Sequence, residues 1–155
     1  MSAATIQTHL PPEARAALAQ VRVQEWMTPD PYVCSPDTSL ADARDMMAEY
    51  NCRRLPVVDD QGHLVGIVSL GDLRQAAPSS VSSLSLFEIS YFWAKLPVRA
   101  AMTPNPITIA PTDTIVTACQ AMLQHKISGL PVVVDEKVVG IFTETDVLRF
   151  WVSLA

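Results

Sequence analysis

No stretch of this sequence approaches the roughly 20 consecutive apolar residues that a membrane-crossing helix needs, although 49% of its 155 residues are hydrophobic. Met1 to Gln20 offers neither a basic start nor an apolar core, so no secretory leader is expected. Cysteine is scarce: Cys34, Cys52 and Cys119 are odd in number, widely spaced and free of any Cys-x-x-Cys pair. That argues against a disulfide framework or a metal site and for thiols in a reducing cytoplasm. Basic residues are also few, 11 Lys and Arg against 16 Asp and Glu, and they are scattered, so nucleic acid is not expected as a partner. His9, His63 and His125 stand outside any recognisable arrangement with serine or cysteine, so no enzymatic activity is expected.

What is present reads as a globular chain, with 17% charged residues, of a length that suits one compact unit or two half-sized ones sharing a core. Internal repetition decides between these. Met27-Thr28-Pro29-Asp30-Pro31 matches Met102-Thr103-Pro104-Asn105-Pro106, and the same offset aligns Pro36 with Pro111, Ala43 with Ala118 and Met47 with Met122. It also aligns Leu55-Pro56-Val57-Val58 with Leu130-Pro131-Val132-Val133; one residue is then lost in a turn, after which Gly66 aligns with Gly140 and Asp72 with Asp146. An ordered series of this kind is a tandem duplication. The expected organisation is an N-terminal extension over 1–21, a first unit over 22–76, a linker with a helix over 77–97 and a second unit over 98–155.

Each unit carries the same expected elements. An extended lead-in (Tyr32 to Ser35, Ile107 to Ala110) is followed by a proline and a helix-capping cluster, Asp37-Thr38-Ser39 or Thr112-Asp113-Thr114. Leu40, Ala43, Met46, Met47 and Tyr50 then recur with helical period, as do Ile115, Ala118, Cys119, Met122 and Leu123, and both sets read as core. Two short strands follow, Leu55–Asp59 and Leu64–Ser69 in the first unit, Leu130–Val134 and Val138–Thr143 in the second, and then a closing helix. The extension holds a short helix after Pro11-Pro12. Ala77 to Ser83 is a polar connector, and Leu84 to Leu96 reads as a helix with a broad aromatic face that packs either within the chain or on a second subunit.

Each closing helix begins with Ser69-Leu70-Gly71-Asp72 or Thr143-Glu144-Thr145-Asp146. Two chemistries fit. The acid can cap the helix in a capping box, or it can accept hydrogen bonds from a vicinal diol while a phosphate approaches the helix N-terminus.

Two copies of Met-Thr-Pro-x-Pro, a capped helix, Leu-Pro-Val-Val and Gly-Ile-(Val/Phe)-(Ser/Thr)-x-x-Asp resemble a pair of cystathionine-β-synthase (CBS) domains, a Bateman module, over about residues 22–152. The stretch from Leu84 through Val98 also resembles the connector of acetoin-utilisation-type CBS proteins. The resemblance implies an α+β sandwich of two β-α-β-β-α units about a pseudo-twofold axis, with two clefts for an adenosine compound: AMP, ADP, ATP or S-adenosylmethionine. It implies a stand-alone cytoplasmic regulatory module, without an obligatory cofactor or metal, that forms a homodimer and signals to a regulated protein. A dimerising or docking scaffold with vestigial clefts is the alternative. By the same resemblance the first cleft uses Asp72, Ser69, the amides of Leu70 and Gly71, Arg54 near phosphate, Ile107 against the base, and Ser128 and Gly129 nearby. The second uses Asp146, Thr143, the Thr145 amide, Tyr32 against the base and Arg53. Arg53 and Arg54 can equally be a solvated pair on a loop. Because the second unit has Gly129 where the first has Arg54, and Glu144 where the first has Leu70, the Asp72 cleft is favoured for a phosphorylated ligand, a fixed acid repelling phosphate.

Overall fold

The structure, a computed structural model, describes residues 10–76 and 85–155. His9, the polar connector and Leu84 lie outside the described residues. The apolar runs form two antiparallel hairpins, β2 (Arg54–Val58) with β3 (Leu64–Ser69), and β5 (Gly129–Val134) with β6 (Lys137–Thr143). The capped helices are α2 (Leu40–Glu49), where Asp42 N–H donates to Ser39 Oγ at 3.0 Å, and α5 (Ile115–His125), where Thr117 N–H donates to Thr114 Oγ1 at 3.1 Å. The closing helices are α3 (Leu70–Gln75) and α6 (Glu144–Ser153). A short α1 (Pro12–Leu18) precedes the first unit, and α4 (Leu86–Lys95) precedes the second.

The lead-in segments do not form strands. Each makes one parallel bridge, Cys34 with Val57 and Ile109 with Val132. Prolines on either side (Pro31 and Pro36, Pro106 and Pro111) have no N–H with which to lengthen the ladder. The third strand of each sheet comes instead from the Met-Thr-Pro motif of the other unit. Strand β1 (Thr28–Pro29) pairs with β6, and β4 (Thr103–Pro104) pairs with β3. A side chain on Gly66 would meet Met102 Sδ and the Thr103 carbonyl, and one on Gly140 would meet Met27 Sδ and the Thr28 carbonyl. The repeated methionine and glycine are therefore two halves of one close contact.

The exchange reaches both cores. Val23, at the start of the first unit, is fully buried with Ile109, Ile115, Leu130 and Phe142 of the second. Val98, at the start of the second, is fully buried with Leu40, Leu55, Val57 and Val68 of the first. Burying a valine completely is worth about 2 kcal/mol. Backbone bonds fix the register: Val23 N–H to Asp113 O (2.8 Å) and Gln24 N–H to Pro111 O (3.0 Å), matched by Val98 N–H to Thr38 O (2.7 Å) and Arg99 N–H to Pro36 O (3.0 Å). Helices α1 and α4 take equivalent places, with Leu18 packed on the second core and Trp93 on the first. Only one side of α4 is engaged. Arg44 lies over the Trp93 ring at 5.4 Å, while Leu86, Phe87 and Tyr91 project into solvent.

The β5–β6 hairpin turns through Asp135 (φ 49°) and Glu136 (φ 65°), two left-handed residues that glycine or asparagine would adopt more cheaply. Glu136→Gly is expected to stabilise the fold by roughly 0.5–1 kcal/mol, the left-handed penalty less the extra chain entropy of glycine. Urea denaturation checks this through a raised midpoint at constant slope.

Candidate functional site

Both Ser/Thr-x-x-Asp motifs are capping boxes. Asp72 Oδ2 accepts from the backbone N–H and the Oγ of Ser69, both at 2.7 Å, and Asp146 Oδ2 accepts from Thr143 N–H at 2.8 Å and Thr143 Oγ1 at 3.0 Å. Capping occupies one oxygen and leaves the other. No described residue donates to Asp72 Oδ1, whereas Asp146 Oδ1 accepts from Arg149 Nη1 at 3.2 Å. A carboxylate offers about four acceptor positions, so neither acid is saturated. Asp146 is 1% exposed; Asp72 is half-buried.

Around Asp146 a cleft of about 400 Å³ opens between the units. All five residues expected of the second cleft line it: Tyr32, Arg53, Thr143, Thr145 and Asp146. Thr28, Pro31, Tyr50, Asn51, Cys52, Arg54, Ile141 and Arg149 complete the wall. Tyr50, expected in the core, caps the C-terminus of α2 just ahead of left-handed Asn51, and it stacks instead on Tyr32 with ring centroids 3.6 Å apart and planes 7° from parallel. Tyr32 remains 54% exposed and offers aromatic surface to a purine. Burial raises the pKa of the Cys52 thiol, partly offset by backbone hydrogen bonds, which disfavours the thiolate.

Of the residues expected of the first cleft, Arg54, Ser128 and Gly129 meet across the boundary between the units. Ser69 and Asp72 meet through the capping box, and Ile107 is exposed beyond β4. Leu70 N–H is already given to Arg53 O at 2.9 Å, so that amide is closed to an anion; Gly71 is exposed. Arg54 reaches the second unit, where its Nη1 donates to Ser128 O at 2.8 Å and its Nη2 to Ser128 Oγ at 2.6 Å. The guanidinium lies where a side chain on Gly129 would project. Arg54 and Gly129 are repeat partners, so one long side chain uses the space that two would contest across the pseudo-twofold axis. Burial lowers the Arg54 pKa and the charge of Arg53 lowers it further, against the opposing pull of Glu144 and Asp146.

Glu144 bears differently on this site than its sequence position implies. It lines a separate apolar groove between α5 and α6 with Leu123 and Leu148, while Arg54 lines the Asp146 cleft. Arg54 is therefore not reserved to the Asp72 side, and Glu144, though outside the lining of the Asp146 cleft, still acts on it through Arg54. Arg149 and Tyr50 have no counterpart in the repeated motifs. Their one sequence signal is a departure from the duplication, with Gln75 and His125 at the matching positions.

Compared with known proteins, residues 23–79 and 98–153 match the CBS domain family. The chain belongs to the CBS-domain family. The CBS relative CBSX2, a chloroplastic protein of Arabidopsis thaliana, is 32% identical over 148 residues, which span 82% of this chain and 62% of CBSX2. The chain spans 23% and 22% of two enzymes with matching regions, an L-aspartate semialdehyde sulfurtransferase and an inosine-5′-monophosphate dehydrogenase. In structure it resembles CBSX2 in complex with AMP (TM-score 0.71, 30% identity, 86% of this chain and 98% of that one). A CBS-domain pair in complex with 5′-methylthioadenosine and S-adenosyl-L-methionine is similar as well (TM-score 0.72, 27% identity, 87% and 98%). So is AcuB from Vibrio cholerae (TM-score 0.72, 30% identity, 87% and 93%).

The crossing of Arg54 generates a coupling. Gly129→Ala is expected to displace the guanidinium from Ser128 and cost about 1–2 kcal/mol, roughly the net worth of one charge-assisted hydrogen bond, since the displaced guanidinium regains water. In Arg54→Ala the same change should cost much less, so a double-mutant cycle in urea should return a coupling of about 1 kcal/mol. Simple additivity would show that the two positions do not compete for space.

Proposed function

We propose that this CBS pair is a regulatory module that binds an adenosine-containing ligand between its units and passes the resulting change to a partner protein. The observation that carries the reading is the Asp146 cleft, where an acid with spare acceptor capacity, exposed aromatic surface and arginines converge in about 400 Å³. That volume lies within the usual range for small-molecule sites. An acid that is both helix cap and ribose acceptor ties ligand binding to the start of α6. The ligands in the CBSX2 and 5′-methylthioadenosine/S-adenosylmethionine structures support the class. No obligatory cofactor, metal, catalytic group or nucleic acid enters this reading.

The module acts as a homodimer through the α5–α6 face. Leu123 is 80% exposed there, beside Leu148 and close to Trp151 and Val152, which are also exposed. The equivalent stretch of α2 carries Asp42, Asp45 and Glu49. No helix among the described residues is long and apolar enough to cross a membrane, and the three cysteines are unbridged, which supports a cytoplasmic setting. The alternative, a scaffold with vestigial clefts, requires clefts plugged by side chains. An open Asp146 cleft favours the sensing role.

Calorimetric titration with AMP, ADP, ATP, S-adenosylmethionine and 5′-methylthioadenosine tests the proposal. At least one should bind saturably, and Tyr32→Ala, at an exposed position that leaves folding intact, should weaken it about 10-fold by removing one stacking surface. Silence with all five ligands, or affinity untouched by Tyr32→Ala, would contradict it.

A further inference from the structure

Among the described residues, the two most exposed large apolar side chains, Phe87 (88%) and Leu86 (83%), both belong to α4. Phe87, Ser90, Tyr91 and Ala94 recur at helical spacing on one exposed face, while Trp93 and Leu96 pack on the first core. Phe87, Tyr91 and Phe92, with Glu88 and Ser90, line an open groove of about 690 Å³. The part α4 plays in the fold does not call for this face. Helix α1 holds the equivalent place on the other unit, and its exposed surface is Glu13, Arg15, Ala16 and Ala17, with no aromatic residue. Apolar surface gathered in this way on one helix marks a contact.

We infer that this face pairs with the same face of a second copy of the chain, the two α4 helices running antiparallel and crossing near Tyr91 and Phe92. The contact is distinct from the α5–α6 face and independent of ligand binding. The charges beside the face make the arrangement self-complementary. Glu88 and Lys95 stand two turns apart along one edge of the exposed stripe. They lie equally far from the point between residues 91 and 92, so a two-fold axis there sets each Glu88 against the Lys95 of the other copy. A parallel pair would set glutamate against glutamate and lysine against lysine, and charges at such flanking positions choose the orientation of paired helices. Hydrogen bonds from the backbone and hydroxyl of Ser85 hold the Glu88 carboxyl below its ordinary pKa, so it stays charged, and they engage Oε2 while leaving Oε1. Lys95 Nζ lies 4.7 Å from the centroid of the Tyr91 ring, at the border of the apolar stripe. The 10 residues of α4 make a helix about 15 Å long. A pair of them covers well under the roughly 800 Å² per partner of a stable interface. The contact is therefore weak alone and grows with concentration, or adds to the α5–α6 pairing.

Sedimentation velocity of the full chain, from micromolar to near-millimolar concentration, tests this in wild type and in Leu123→Glu, which places a charge on the α5–α6 face. Self-association should rise with concentration in both backgrounds. Phe87→Ser, at an exposed position that leaves folding intact, should weaken it at least about 10-fold in each, because both copies lose a buried ring. Lys95→Glu and Glu88→Lys should each weaken it several-fold by setting like charges together. An equimolar mixture of those two variants should regain wild-type strength, since every glutamate then meets a lysine. Lys95→Glu keeps the Ser85–Glu88 cap, so its effect is read without disturbing the start of α4. A mass insensitive to Phe87→Ser in both backgrounds would overturn the inference while leaving the sensing cleft and the α5–α6 pairing untouched. Lys95→Glu associating as tightly as wild type, or a mixture no stronger than either charge variant alone, would overturn the antiparallel pairing.

Discussion

Each half of this protein is completed by the segment that leads into the other. Val23 and Val98 are buried in cores to which their own units do not belong, and the two-residue strands at Thr28 and Thr103 add the third strand to the opposite sheet. The contact is tight enough to dictate composition: glycine at 66 and 140, because methionine sulfur and a strand carbonyl press on those positions. Arg99 and Asp37 add an ion pair between the halves, but it is exposed and contributes little. Neither unit has a complete core alone, so the relative placement of the two, and hence the shape of the cleft between them, is set by the most strongly buried part of the fold.

On that paired scaffold, the asymmetric features lie where the duplication has drifted. The two cores use matching positions, Leu40 and Ile115, Met47 and Met122, Leu55 and Leu130, Val57 and Val132. The surfaces do not match. Arg54 faces the gap left by Gly129, Tyr50 stands where the second unit has His125, and Leu123 stands where the first has Ala48. The outcome is a cationic, aromatic-lined cleft on one side and an apolar helical face on one unit. Packing constrains both copies equally, whereas a ligand or a partner constrains only the copy it touches.

How much of this the sequence disclosed follows from how local each feature is. The hairpins, the Ser39 and Thr114 caps and both Ser/Thr-x-x-Asp turns are written in neighbouring residues, and they are present. The five residues named for the second cleft do converge, because the repeat fixes which turns face each other. The strand exchange was not legible. Two-residue strands have no periodicity, and Thr28 or Thr103 gives no sign of which sheet its backbone will join. Tyr50 fits the helical period of the core residues, yet it sits where α2 ends, and there the chain turns it toward Tyr32. Arg54, Ser128 and Gly129 were named together and do meet, though nothing in the sequence signalled that the same arginine, crossing toward a glycine partner, would also line the Asp146 cleft. The equivalence of α1 and α4 was hidden because only the size and apolarity of Leu18 and Trp93 are shared.

Mutual completion of the two halves implies that they unfold together, and tryptophan reports on each: Trp26 packs against the core of the second unit and Trp93 against that of the first. The direct measurement is urea denaturation followed by fluorescence in two full-length variants, one retaining only Trp26 and the other only Trp93, the remaining tryptophans replaced by phenylalanine. Judged against circular dichroism of each variant, the account predicts that the fluorescence and backbone transitions coincide in both, with the same slope. A Trp26 transition displaced from the backbone signal, or a plateau between two steps, would show that the halves stand independently and would contradict it.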